Sequence, residues 1–460
     1  MQFRRSLSFG LASACALVGQ DPGKAAAPEQ LIQEIRTHSE LMKNLEELCD
    51  GIGARLTGST QLRAAQAWAM AKLKSYGAVN VHEEAYDFGK PWRRGVARAR
   101  LLNANGQSLN IAQMGWTEGT RGVVKGDVVV LDVKTLAEFK AIAPGLAGKI
   151  VLVISRPRAT AEERKDMKAY WSELTKAWRK TPFGLVLLPA DKDYSLHEMG
   201  GGPSFLYQSR TAFITKDDAN LLQRLISRGV TPRVEAELGG AFGKTPVKAY
   251  NVVADFSGTD APEEMVIVGG HLDSWDLSTG ATDNGTGTVV AMEVLRAMAA
   301  SELKPKRTLR IVLFSGEEQG LLGSKAYVTA HRKELPNIQA VLIDDAGTGR
   351  MTGFGDMKVE AWYAPLAAAM APAKALGAEE IPYAYIGGSD QEAFFEKGVP
   401  AFSPIQDPLD YRTHTHHSQV DSLDHVVKED LLQGAQVMAV TTWGLLNGER
   451  IPHIPETVKP

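Results

Sequence analysis

Residues 269–287 read GGHLDSWDLSTGATDNGTG and place His271, Asp273 and Asp283 among small residues directly after the apolar run Met265 to Val268. Two more apolar runs end in the same way. Glu317 and Glu318 follow RIVLFSG, and Asp344 and Asp345 close AVLIDD, while THTHHS at 413–418 adds His414, His416 and His417. Acids gathered in one place repel each other, and divalent cations are the usual remedy. Imidazole with carboxylate, and no thiolate cluster, suits zinc or cobalt better than calcium. Two metals about 3.5 to 4 Å apart would use more ligands than one catalytic ion needs. Each residue also has an ordinary use. Asp283 could cap a helix, the Glu pair could be solvated surface, Asp344-Asp345 could be a turn, and THTHHS could be an exposed loop. Their joint placement at strand ends favours one shared site, because ligands of open α/β sheets gather beyond the carboxyl ends of the strands.

The elements that must carry these residues alternate after Tyr250. EMVIVGGH precedes the helical NGTGTVVAMEVLRAMAASEL, RTLRIVLFSG precedes LLGSKAYVTAHRKEL, and IQAVLIDDAG precedes WYAPLAAAMAPAKALG. Such alternation with nearly continuous apolar strands predicts an α/β fold: a central, mostly parallel mixed sheet flanked by helices. Residues 29–76 carry apolar positions at helical spacing, and VNVHEEAYDF reads as a strand. Between residues 95 and 243 short apolar strands such as GDVVVLDV, GKIVLVIS and FGLVLLPA predict a β-rich insert, with 239–244 as a linker. The expected organisation is a leader over 1–27, the N-terminal part of the catalytic domain over 28–94, the insert over 95–243, and the rest of the catalytic domain over 244–460.

The leader rests on the paired arginines and the apolar, small-residue stretch that opens the chain. That is the layout of an export signal and is too short to span a bilayer. Cleavage could follow Ala16 or fall within Ala25 to Ala27. Losing Cys15 would leave Cys49 alone, so no intrachain disulfide is expected in the mature chain. With 51 Lys+Arg against 54 Asp+Glu, a net charge of -3, nothing attracts the chain to phosphate backbones, and nucleic acid is not an expected partner.

Read together, GGHLDSWD, GATDNGTG, FSGEEQGLLGS, DDAGT, GGSDQEAFFEKGVP and THHSQVDS resemble the M28 family of co-catalytic zinc exopeptidases. The HLDSWD form and the insert resemble the carboxypeptidase Q branch of that family, the insert being similar to a protease-associated (PA) domain. The resemblance implies a zinc exopeptidase type of sheet and two zinc ions per chain. His271 and Asp345 would hold one ion, Glu318 and His417 the other, and Asp283 would bridge both. Glu317 would be the general base, moving a proton from a metal-bridging water to the leaving amine. Asp273 would orient His271. His416 stands where many members have tyrosine, and would stabilise the tetrahedral intermediate as a protonated or donor-oriented ring. His414 and His416 are secondary ligand candidates. Ser389, Asp390 and Phe394 are expected to shape the substrate pocket, where Gln391 replaces a histidine common in relatives.

The function so implied is an exported, periplasmic or secreted, di-zinc exopeptidase acting on short peptides as an aminopeptidase or dipeptidase. By the same resemblance it would be a homodimer, and from the shortness of its N-terminal apolar stretch no transmembrane segment is expected. A carboxypeptidase-like mode, a non-catalytic binding protein and an acyl-transfer or cyclising enzyme are the rival readings.

Overall fold

The computed structural model describes residues 22–193, 196–197, 199–202 and 209–456. The expected leader up to residue 21, with Cys15, lies outside them. Ala27, the last residue assigned to that leader, is fully buried beside Leu31 and Ile35 on the helix Pro22–His38. Among the described residues no helix is long and apolar enough to cross a membrane.

A six-stranded sheet forms the centre. Its strands are β1 (Val79–Gly89), β2 (Val247–Phe256), β3 (Ala261–His271), β4 (Arg307–Phe314), β5 (Ile338–Ile343) and β6 (Ala401–Phe402), in the order β1-β2-β4-β3-β5-β6. The pairings β4-β3, β3-β5 and β5-β6 are parallel, and β1-β2 and β2-β4 are antiparallel, as the expected mixed sheet requires. Val266, Ile267 and Val268 on β3, Leu313 and Phe314 on β4 and the whole of β5 are buried, which explains why these strands read as unbroken apolar runs. Helices Pro22–His38, Thr286–Ala300 and Lys428–Asn447 pack together, and Leu322–Ala330 packs with Gln391–Phe395. On Thr286–Ala300 the buried Glu293 is held by two bonds from Arg296, of 2.9 and 2.8 Å.

The chain leaves β3 to one side for β4 and returns across it to β5. That reversal opens a crevice at the carboxyl ends of the three strands. His271 pairs in register with Phe314, and Gly269 with Ile343, so β3 and β4 end level and Asp345 follows two residues beyond the end of β5. Gly287, at the start of the helix after β3, lets that helix approach closely, since a Cβ there would sit 2.0 Å from the Asp344 carbonyl.

A second sheet lies wholly between residues 97 and 238. Its eight strands run in the order 108–109, 97–101, 233–238, 124–132, 150–155, 185–189, 211–214, 111–113. The strand, helix and strand that the sequence reads over 212–238 are present, and the segment adds a helix, Met167–Lys180, that its short strands did not suggest. Met167–Lys180 and Lys216–Ser227 belong to it, and Trp178 and Leu222 are fully buried in apolar clusters of its own. The expected linker is also more ordered than a tether. Ala241–Phe242 pairs antiparallel with Trp92–Arg93, so the chain enters and leaves the insert side by side. Gly95 makes that closeness possible, because a Cβ there would lie 2.3 Å from Gly239.

Candidate active site

β3 ends in His271, which is fully buried. Its Nδ1 lies 2.9 Å from the backbone oxygen of Asp273, leaving Nε2 facing Asp283 Oδ1 at 3.2 Å and Asp345 Oδ1 at 3.4 Å. Asp345, from the loop after β5, is therefore the member of the Asp344-Asp345 pair that reaches the site. The Asp344 carboxylate accepts instead from Gln406 Nε2 at 3.3 Å. From the other side His417 Nε2 approaches Asp283 Oδ2 at 3.5 Å and Glu318 Oε2 at 2.9 Å. The two oxygens of Asp283 thus face two different ligand sets. Asp283 does not cap the following helix, whose N-cap position is Gly285, and the side chain that bonds its first turn is Asn284, with Oδ1 accepting from Gly287 N at 2.9 Å.

Several donor atoms at this junction are buried yet make no hydrogen bond: His271 Nε2, both carboxylate oxygens of Glu318 and Asp345 Oδ1. Buried polar atoms are normally paired. Ligand atoms of His271, Asp283 and Asp345 lie within 4.8 Å of one another, as do those of Asp283, His416 and His417. Unpaired imidazole and carboxylate donors converging on two adjacent points fit a pair of divalent cations of the zinc class.

The electrostatics agree. Burial, joined by neighbouring carboxylates, pushes Glu317 and Glu318 well above the usual carboxylate range. His271 is raised against the opposing effect of burial by Asp345 and Glu317. Asp283 is likewise held low against burial by His271 and His417. A cluster so arranged must take up either protons or metal ions. Burial and then His417 pull His416 down to about 4, so at neutral pH it is a neutral ring. Of the two forms expected for its oxyanion role, the protonated one is thereby disfavoured.

Asp273 holds this centre differently from the expectation. Its carboxylate stands 3.7 Å from His271 Nδ1, too far for a hydrogen bond, so its backbone oxygen is the ring's partner. The carboxylate accepts from Thr57 Oγ1 at 2.8 Å and from the Glu317 amide at 3.4 Å, tying the β3 and β4 loops together. Thr57 Oγ1 also accepts from Gly316 N at 3.1 Å. Beside it the fully buried Arg55 donates to the carbonyls of Leu272, Thr279 and Gly280 at 2.8, 2.6 and 2.8 Å, clamping the loop between His271 and Asp283. Asp421 accepts from Thr282 N at 2.7 Å and Asp283 N at 3.1 Å. Thr57 and Arg55 escape sequence reading because RLTGS looks like a helix boundary. Asp421 stood in the THHSQVDS motif, but nothing in its spacing pointed to a backbone clamp.

His417 arrives on the loop after Tyr411–Thr415 with a left-handed backbone, φ 54°. Such a conformation costs a non-glycine residue about 1–2 kcal/mol. Its carbonyl accepts from Met199 N of the insert at 2.8 Å, its ring stacks on His416 at 3.9 Å, and the Trp275 edge closes in at 6.1 Å. His414 bonds to Thr413 Oγ1 and stands outside both convergent groups.

Above the centre opens a cavity of about 820 Å³, within the range of small-ligand sites. Asp283, Glu317, Glu318, Asp345, His416 and His417 line it, with Tyr411, the turn Gly387 to Ser389, and Lys192 of the insert. Of the expected pocket residues only Ser389 lines it. Asp390 is fully buried behind the turn, and burial pushes its carboxyl up to about 7. Phe394 is a core residue, packed on Phe314 and Tyr327 at 6.2 and 5.8 Å. The short helix Gln391–Phe395 turns that face inward, which a motif alone does not reveal.

Residues 251–442 match the model of peptidase family M28. The chain is 30% identical to a carboxypeptidase Q of Xenopus laevis, over 90% of this chain and 91% of the relative. A peptidase M28 precursor from Shewanella amazonensis superposes with a TM-score of 0.80 at 30% identity, covering 94% of this chain and 99% of that one. A zinc aminopeptidase from Bacillus subtilis shares the fold at 19% identity and a TM-score of 0.64, over 92% and 95% of the two chains. The matched region contains every converging residue, and the chain belongs to peptidase family M28.

Proposed function

We propose that this M28 metallo-exopeptidase is an exported di-zinc enzyme that releases single amino acids from short peptides, as an aminopeptidase or dipeptidase. The observation that carries the reading is Asp283, whose two oxygens face His271 at 3.2 Å and His417 at 3.5 Å. His271, Asp345 and one oxygen of Asp283 would hold one zinc. Glu318, His417 and the other oxygen would hold the second. Zinc bound there would acidify water and polarise the scissile carbonyl.

The remaining chemistry belongs to the chain. Glu317 lines the cavity with its amide anchored to Asp273, which fixes the carboxylate as the group that takes a proton from the attacking water and delivers it to the leaving nitrogen. His416, neutral at working pH, donates its N–H to the oxygen on which negative charge develops. Residues 95–243 act as a PA-type domain that roofs the cavity. This is supported by the bonds from His197 N to Gln419 Oε1 at 2.7 Å and from Met199 N to the His417 carbonyl at 2.8 Å.

The test is hydrolysis of an apolar dipeptide, free and N-acetylated, by the zinc-loaded protein. Cleavage of the free form alone is expected. Cleavage of both would move the reading to a carboxypeptidase-like mode, and cleavage of neither would contradict the reading.

A further inference from the structure

Two charged side chains of the insert line the catalytic cavity: the exposed Asp191 and the buried Lys192, which is 7% exposed. Among the described residues the Lys192 ammonium makes one hydrogen bond, 3.0 Å to the backbone oxygen of Arg412. Among the described residues no carboxylate lies within ion-pair distance of it. A buried cation is costly without an anion, and a single carbonyl leaves most of that cost uncompensated. The carboxylates on the cavity floor cannot serve, because they converge on the metal positions. Nor is Lys192 loosely placed. The stretch that follows it is fastened to the catalytic loop at Gln419 and His417.

We propose that Lys192 anchors a carboxylate of the substrate, namely the free C-terminus of a dipeptide. The substrate supplies the anion the ammonium lacks, and the insert thereby measures substrate length: a dipeptide places a carboxylate one residue beyond the scissile bond, and a longer peptide places a neutral amide there. This rests on the exopeptidase reading and narrows it to a dipeptidase.

The experiment measures kcat and KM of the zinc-loaded enzyme for leucyl-alanine, leucyl-alanine amide and leucyl-aspartic acid α-amide, with wild type, Lys192→Met and Lys192→Arg. Loss of a charge-assisted bond should raise KM of Lys192→Met for leucyl-alanine by roughly 10- to 100-fold. The kcat should hold within about 3-fold, the zinc content should be unchanged, the amide should be insensitive to the substitution, and Lys192→Arg should recover most of the loss. An unchanged KM, or an equal loss for acid and amide, would overturn the proposal. So would a loss confined to the aspartate side-chain carboxylate. Wild type cleaving acid and amide equally would sink this inference while leaving the exopeptidase reading intact, whereas wild type cleaving no dipeptide would remove that reading and the inference with it.

Discussion

The two halves of the active site are built differently. His271, Glu317 and Asp345 project from the ends of buried parallel strands, and the loops carrying His271 and Glu317 are stitched by Arg55, Thr57 and Asp273 through short, largely charge-assisted bonds. His417 instead rides on an irregular loop, is 32% exposed, and is held by neutral bonds from the insert on one side and by the Asp421 clamp on the Asp283 loop on the other. Charged bonds inside a core resist displacement far more than neutral ones at a boundary. The difference teaches that the Glu317 and His271 side is the more firmly framed, while the His417 side is open to adjustment with the insert.

Asp283 belongs to both halves, so its loss should be the most damaging. Asp283→Ala should lower turnover by more than about 10⁴-fold and deplete both metals, as read by activity and elemental analysis. Selective loss of one metal would break the comparison, because Asp283 would then belong to one half only. Glu317→Gln should cost about 10²–10⁴-fold in kcat while metal content stays at the wild-type level, separating the base from the ligands.

The next two variants set one half against the other. Thr57→Val severs the bond to Asp273 in the firmer half, and should lower activity by about 10- to 100-fold with KM little changed. Gln419→Ala removes one neutral bond between the insert and the catalytic loop. It should weaken retention of the second metal by only about 2- to 10-fold, followed by activity against a graded chelator. A larger effect from Gln419→Ala than from Thr57→Val would reverse the assignment of firmer and adjustable halves.

The same division separates what was legible in the sequence from what was not. The mixed sheet and its flanking helices were legible because β3, β4 and β5 are buried on both faces and read as apolar runs, each ending in residues of unusual charge. The parts that failed depend on tertiary contact. Arg55 and Thr57 act on loops more than 200 residues away, as the separation of 216 between Thr57 and Asp273 shows. Asp390 and Phe394 sit in a quoted motif, but the rotation of one short helix decides that they face the core while Ser389 faces the cavity. Lys192 carried no pattern at all, since a single lysine gains meaning only from where the insert folds back.

The central claim is that Asp283 joins two metal positions, and zinc titration of the metal-stripped protein tests it most directly, with wild type, Asp283→Ala and His417→Ala compared by calorimetry. The expected result is two equivalents for wild type, one for His417→Ala, and none bound tightly by Asp283→Ala. Saturation of the wild type at one equivalent, or an Asp283→Ala protein that still binds two, would contradict the account.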